Sequence, residues 1–347
     1  MIPAPALHQS EARRRARRAG LLLAGAALLL ILLAIDIGSG AADLSWQQVW
    51  DALTRPQQAD SAAHFILWEL RLPQALMAVI AGAALGLAGA EMQTVLDNPL
   101  ASPFTLGVSS AAALGAALSL VLGVHVPGIP VEQATAANAF AFALLCSLML
   151  DQAARRMQMA QQGIVLLGIA LVFGFNALLA LIQLLSDAAA LQNLLYWMMG
   201  SLGGSRWPDV ALLSIVLLAA GVAAMRQAWL LTALRFGDER AGSLGVDTRR
   251  VRRWALLRVS ILAATAVALV GVIGFVGLIA PHIARRLWGE DHRWYLPASA
   301  CTGAIIMLGA SVCAKALSST LEIPVGIVTT LVGIPFFIVV LSRRRPN

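Results

Sequence analysis

The chain has 347 residues, 59% hydrophobic and 12% charged, with a formal net charge of +7. That apolar excess is far beyond what a soluble core needs, and the basic residues sit in short clusters between apolar runs, a pattern of membrane orientation and not of nucleic-acid binding. Runs of about 20 residues with few charges recur along the length, too long and continuous for barrel strands, which predicts an all-α polytopic membrane protein.

The N-terminal EARRRARRAG followed by LLLAGAALLLILLAI superficially resembles a signal peptide. The apolar run is long for that, so a basic tail over 1–18 and a retained first span over 19–35 are expected. Further spans are predicted over 72–96, 106–124, 135–150, 163–185, 210–231, 254–271, 272–288, 296–317 and 323–341, making ten in one transmembrane unit over 19–347. The pair 254–288 could be one tilted helix, and charge parity decides against that. Basic clusters stand at Arg13–Arg18, Arg155–Arg156, Arg235–Arg258, Arg285–Arg293 and Arg343–Arg345. If all are cytoplasmic, each interval between them must hold an even number of crossings, which the ten spans satisfy with both termini inside. Gly271 and Gly274, in ALVGVIGFVG, offer the break for a tight re-turn.

On this topology the outer face carries only Arg55, Arg71, Arg206 and Lys315 among 25 basic residues, and Lys315 is the chain's sole lysine. Prolines in DNPLASPF, IAPH, EIPVG and GIPFF mark irregular backbone, which membranes tolerate where it lines a cavity or is buried in protein. Gly82, Gly86 and Gly89 recur at near-helical spacing and predict close helix packing.

Catalytic chemistry is not visible. The only lysine follows Ala314, so there is no P-loop; the five histidines form no zinc motif; and Cys146, Cys301 and Cys313 imply no disulfide or metal framework. His282 with Ser109 or Ser110 lacks any nucleophile-elbow context. Glu91 is the most intramembrane acid, near the inner end of its span where it can reach water or an arginine, and Asn176 and Gln183 are polar without titrating. A helical path with no proton relay and no nucleotide site must draw its energy from elsewhere.

Several stretches resemble, in order, the permease subunits of ABC importers for ferric siderophores, haem and vitamin B12: RLPQALMAVIAGAALGLAGAEMQTVLDNPLASPFTLGVSS, YWMMGSLGG, GDERAGSLGV, GFVGLIAPHIARRLWGEDHRWYLP and EIPVGIVTTLVGIPFF. The resemblance implies a ten-helix subunit of the bacterial inner membrane, not an enzyme and without cofactor or metal. It also implies a second copy or a homologous permease, two cytoplasmic ATP-binding subunits and an extracytoplasmic substrate-binding protein.

Within 234–253, GDERAGSLGV resembles the family's ATPase-coupling segment, assigning that role to Gly237, Asp238, Glu239, Arg240, Leu244 and Gly245. Arg71, Gln74 and Lys315 match positions that meet the binding protein, Gln74 standing where the vitamin B12 permease has an arginine, and Asn176 is carried over to the translocation path. An iron–siderophore cargo is expected, with haem or cobalamin as alternatives. Outside the family, an ion-coupled secondary transporter would need a titratable mid-membrane residue.

Overall fold

The computed structural model describes residues 4–40, 42, 44–55, 60–125, 127–157, 161–317 and 323–342, and among these every regular element is helical. Helix α1 (Ala4–Gly38) runs unbroken from the arginine cluster through the first apolar run, so the basic segment continues the helix. A short helix, α2 (Trp46–Thr54), follows. Its start is fixed by Ser45, which accepts from the Gln48 N–H while the Gln48 side chain accepts from the Ser45 N–H.

Helix α3 (Ser61–Phe65) passes through a π-helical turn, Ile66–Arg71, into α4 (Leu72–Val95), one helical run of 35 residues. Pro73 has no N–H to give and its ring crowds the preceding turn. The Leu72 N–H correspondingly reaches back to the Leu67 carbonyl in a widened turn.

The remaining helices are α5 (Val108–Leu120), α6 (Val131–Arg156), α7 (Gln161–Leu184), α8 (Ala188–Met198), α9 (Trp207–Arg226), α10 (Ala228–Leu234), α11 (Asp238–Ser243), α12 (Thr248–Val270), α13 (Val276–Trp288), α14 (His292–Leu317) and α15 (Val325–Ser342). Among the described residues, seven helical runs are long and apolar enough to cross a membrane. Two apolar helices, Val108–Leu120 and Val325–Val339, are shorter. Helix α13 has 13 residues and ends in Arg285 and Arg286.

Helix α4 is the centre. Its most apolar stretch is 83% buried, against 6% in α1 and 11% in α7, whose side chains face outward. The cause is residue size: a Cβ at Gly82 would strike the Gly303 carbonyl, and one at Gly303 would strike the Gly82 carbonyl, so α4 and α14 meet backbone to backbone. The Gly82/Gly86/Gly89 spacing therefore packs helices as expected.

Two ends of the bundle are defined by polar contacts. At one, Trp288 Nε1 donates to the Arg18 carbonyl (2.9 Å), Arg235 pairs with Glu290 (2.6 Å) and Arg252 with Asp238 (2.8 Å). At the other, Trp207 Nε1 donates to the Trp68 carbonyl (2.9 Å) and the Ser201 N–H to the Val270 carbonyl (2.9 Å). Helix α12 runs from the arginine-rich end to the opposite one, and α13 returns.

The break between them is where the glycines suggested. Gly271 has φ +73°, and residues 271–275 carry the chain into the bundle before α13 starts at Val276. Thirteen helical residues cover only about 20 Å, so the non-helical stretch completes the return. Gly271, Ile273 and Gly274 are buried in protein, the condition under which irregular backbone survives at that depth.

Two features differ from expectation. Helix α8 was not anticipated: Asp187 caps it by accepting from the Ala190 N–H (2.8 Å), a short local signal inside an apolar region. The span expected over 210–231 is broken at Gln227, where α9 ends and α10 begins.

Candidate coupling surface and its buried supports

At the arginine-rich end, α11 stands between two glycines with positive φ, Gly237 (+88°) and Gly245 (+80°). Its C-terminus closes as a Schellman motif: the Val246 N–H bonds the Ala241 carbonyl (3.1 Å) and the Gly245 N–H the Gly242 carbonyl (2.9 Å). Ala241 and Val246 are buried beneath it, seating the short helix on the bundle. The opposite face carries Glu239, Arg240 and Leu244, all exposed, and Phe236 lies just before it. Phe236 is 59% and Leu244 56% exposed, so two large apolar side chains flank a charged turn at the surface. Asp238 does not point to a partner alone: Arg252 of α12 grips it through two bonds of 2.8 and 2.9 Å.

Sequence reasoning missed Phe236 and Arg252. The first was visible as an aromatic between Arg235 and Gly237. The second was hidden, because its partner is fourteen residues away across a turn.

Beneath α11, the α10 segment is held by three polar supports. Before it, Arg258 of α12 donates to the Gln227 side chain (3.0 Å) and forms a bidentate pair with Glu91 of α4, including Nε bonds of 3.0 and 3.2 Å. Glu91, expected to reach water or an arginine, reaches the arginine and is fully buried. Within α10, Thr232 meets the buried ring of His292, whose other nitrogen meets Thr94 of α4. After it, Arg235 and Arg285 converge on Glu290, and Arg285 stacks over the Tyr295 ring at 5.5 Å.

At the opposite end the expected docking cations turn inward. Arg71 is 4% exposed and donates to the Ile37 carbonyl in the last turn of α1 and to the Ala42 carbonyl in the loop after it. Lys315 donates to the Asp36 carboxylate (2.7 Å) and its carbonyl (3.0 Å), while Ser311 donates to the other carboxylate oxygen (2.7 Å). Asp36 is a second fully buried acid, unmarked in the sequence reading because it closes a long apolar run. Lys315 still lines a recess of about 600 Å³ with Gly38, Ser39, Ser45 and Gln48. The Gln74 amide donates to the Gly203 carbonyl (3.4 Å) in the loop before α9. Asn176 is exposed on α7, one turn from the exposed Phe173.

Both buried acids, Glu91 and Asp36, are thus held by cations, and His282 packs edge-on to Phe336 at 6.1 Å. Among the described residues this is an all-helical, multi-pass membrane protein with an ordered surface turn at one end and tethered loops at the other.

The FecCD transport family matches residues 28–343, and the chain belongs to that family. It is 37% identical over 339 residues to a vitamin B12 import system permease of Vibrio vulnificus, with 98% of each chain covered. It is 36% identical to the hemin transport system permease of Yersinia pestis (92% of this chain, 95% of that one). It is 37% identical to an Fe(3+)-citrate import system permease of Bacillus subtilis (95% and 97%). A solved metal-chelate type ABC transporter in an inward-facing conformation superposes with a TM-score of 0.80 at 30% identity, covering 94% of this chain and 99% of that one.

Proposed function

We propose that this chain is the membrane-spanning permease subunit of a bacterial ABC importer, carrying an iron–siderophore complex across the inner membrane on ATP hydrolysed by two separate cytoplasmic subunits. Ten transits with both termini cytoplasmic, the short α13 with its extended lead counting as one, put every basic cluster inside. The carrying observation is α11: an ordered, outward turn with Phe236 and Leu244 as apolar anchors and Glu239 and Arg240 for directional contacts, seated on helices that reach the core. Such a turn fits a cleft on a soluble ATPase.

In this reading Gly237 and Gly245 shape the turn, and Asp238 is oriented by Arg252. Arg71 and Lys315 hold the outer loop after α1, and the recess beside Lys315 receives a carboxylate of the substrate-binding protein, with Gln74 setting the neighbouring loop. Asn176, on the exposed side of α7, faces the path between this chain and a second permease copy. Cation-paired Glu91 and Asp36 argue against an ion-coupled carrier, whose carboxylate must exchange its proton freely.

The test is reconstitution with the ATPase and binding protein encoded beside the chain. Uptake of a ferric siderophore, ferric citrate, haemin and cobalamin is compared with and without ATP. ATP-dependent uptake of the ferric siderophore alone supports the reading. Uptake of only haemin or cobalamin would move the cargo, and uptake by the chain without the ATPase would refute the mechanism.

A further inference from the structure

His292 is fully buried at the start of α14. Its Nε2 lies 2.8 Å from the Thr94 hydroxyl on the last turn of α4, and its Nδ1 3.1 Å from the Thr232 hydroxyl on α10. Each threonine is also committed elsewhere. Thr94 donates its proton to the Ala90 carbonyl (2.8 Å) and Thr232 donates to the Ala228 carbonyl (2.8 Å). The Thr232 oxygen further accepts from the His292 backbone N–H (3.1 Å).

The proton count does not close in that arrangement. Both hydroxyl protons are engaged, so both ring nitrogens would have to donate, whereas a neutral imidazole carries a single N–H. A charged ring is disfavoured first by its full burial and then by the Arg235 and Arg285 cations near it, both of which already hold Glu290. With its single N–H, the ring bonds both threonines only if one of them turns its proton from its helix carbonyl to the ring, and the Glu290 carbonyl is a further acceptor beside it. Either Nε2–H donates to Thr94 while Thr232 turns to Nδ1, or Nδ1–H donates to Thr232 while Thr94 turns to Nε2. The two arrangements differ in which helix, α4 or α10, has its hydroxyl turned away from its own backbone.

We propose that His292 is a positioning residue that latches α10, the root of the coupling turn, to α4, through one proton held in either of these two arrangements. A ring that can hold both helices in either arrangement keeps α10, and with it the turn, attached to the core. The Arg258 and Arg235 supports flank this point, so the latch is the middle of a rigid connection. The proposal rests on α11 being the docking element for the ATPase.

The experiment uses the full complex in liposomes, with spin labels at Ser243→Cys on α11 and Leu317→Cys at the far end of α14, and the three native cysteines replaced. With the latch intact, the distance between the labels stays constant on ATP–vanadate trapping, because α11 and the core move together. In His292→Leu it shifts by roughly a helical turn, about 5 Å. Thr232→Val, nearly isosteric, gives a smaller shift and carries the test if His292→Leu does not assemble. The pair Thr94→Val/Thr232→Val reproduces His292→Leu, and His292→Gln, which can donate and accept, restores most of the constancy. A constant distance in the variants overturns the latch. A Ser243 label whose mobility is unchanged by the bound ATPase instead overturns the docking assignment, which separates the two failures.

Discussion

Removing one partner from the Glu91–Arg258 pair should be far more damaging than removing both. Glu91 has no exposed surface and the Arg258 side chain is 8% exposed, so neither charge can turn to water. Arg258 donates through Nε and Nη2 to the carboxylate and through Nη1 to Gln227. Replacing Glu91 by Met leaves a buried guanidinium with only the Gln227 amide, a change that costs about 3–5 kcal/mol where such pairs have been broken. Replacing both by Met removes the desolvation penalty with the attraction, and the double variant should recover most of that loss. At about 2 °C per kcal/mol for a large chain, each single variant melts about 6–10 °C lower by size-exclusion thermostability in detergent, and the double variant lies closer to the parent than either. If the double variant melts as low as the sum of the two singles, the pair is not one buried unit and the support for α10 is misassigned.

Leu244→Asp places a charge at the exposed anchor of α11, and a loss of about 2 kcal/mol of contact energy would weaken ATPase co-purification roughly 30-fold. Gly245→Ala forces a side chain into φ +80° at about 1–2 kcal/mol and should loosen the same association. Gly242→Ala, on the same helix with open space around it, should not. Gly303→Ala drives a methyl into the Gly82 carbonyl and should lower melting by an overpacking cost of about 1–3 kcal/mol, whereas Gly309→Ala meets nothing and is a matched control. Lys315→Met strands the buried Asp36 carboxylate, and adding Asp36→Leu should restore melting without restoring binding-protein affinity if the recess is a docking seat.

The helices were legible where one physical signal dominated. Long apolar runs marked the seven helical runs long enough to cross among the described residues, and the parity of the basic clusters anticipated the break between α12 and α13. Gly82 and its repeats announced backbone contact because only a missing side chain permits it. Asp36, Arg252 and His292 were not legible, since each matters through a partner on another helix, across one turn for Arg252 and far along the chain for the other two, and a sequence shows spacing along one helix only. Arg71 and Lys315 were placed at outer span ends by the charge-parity topology and read as docking cations from the family resemblance. Long cationic side chains at such places reach either way, and here buried carbonyls and a carboxylate draw them in.

The division of adhesives along α4 has a mechanical meaning. Its middle meets α14 through Gly82, Gly86 and Gly303, with backbone contacts that no side chain can re-form elsewhere, so that pair must move as one body. Its end at the arginine-rich side is tied to α12 by the buried Glu91–Arg258 pair and, through the His292 ring of α14, to Thr232 of α10. If α11 is the docking turn, a push on it enters through these polar ties and is delivered to a core packed backbone to backbone. A helix pair glued by polar bonds at its centre and small residues at its end would do the reverse, absorbing the push locally. The prediction that separates the two is His292→Leu with Gly303 intact: the core should stay folded at nearly its parent melting temperature while the coupling turn no longer moves with it.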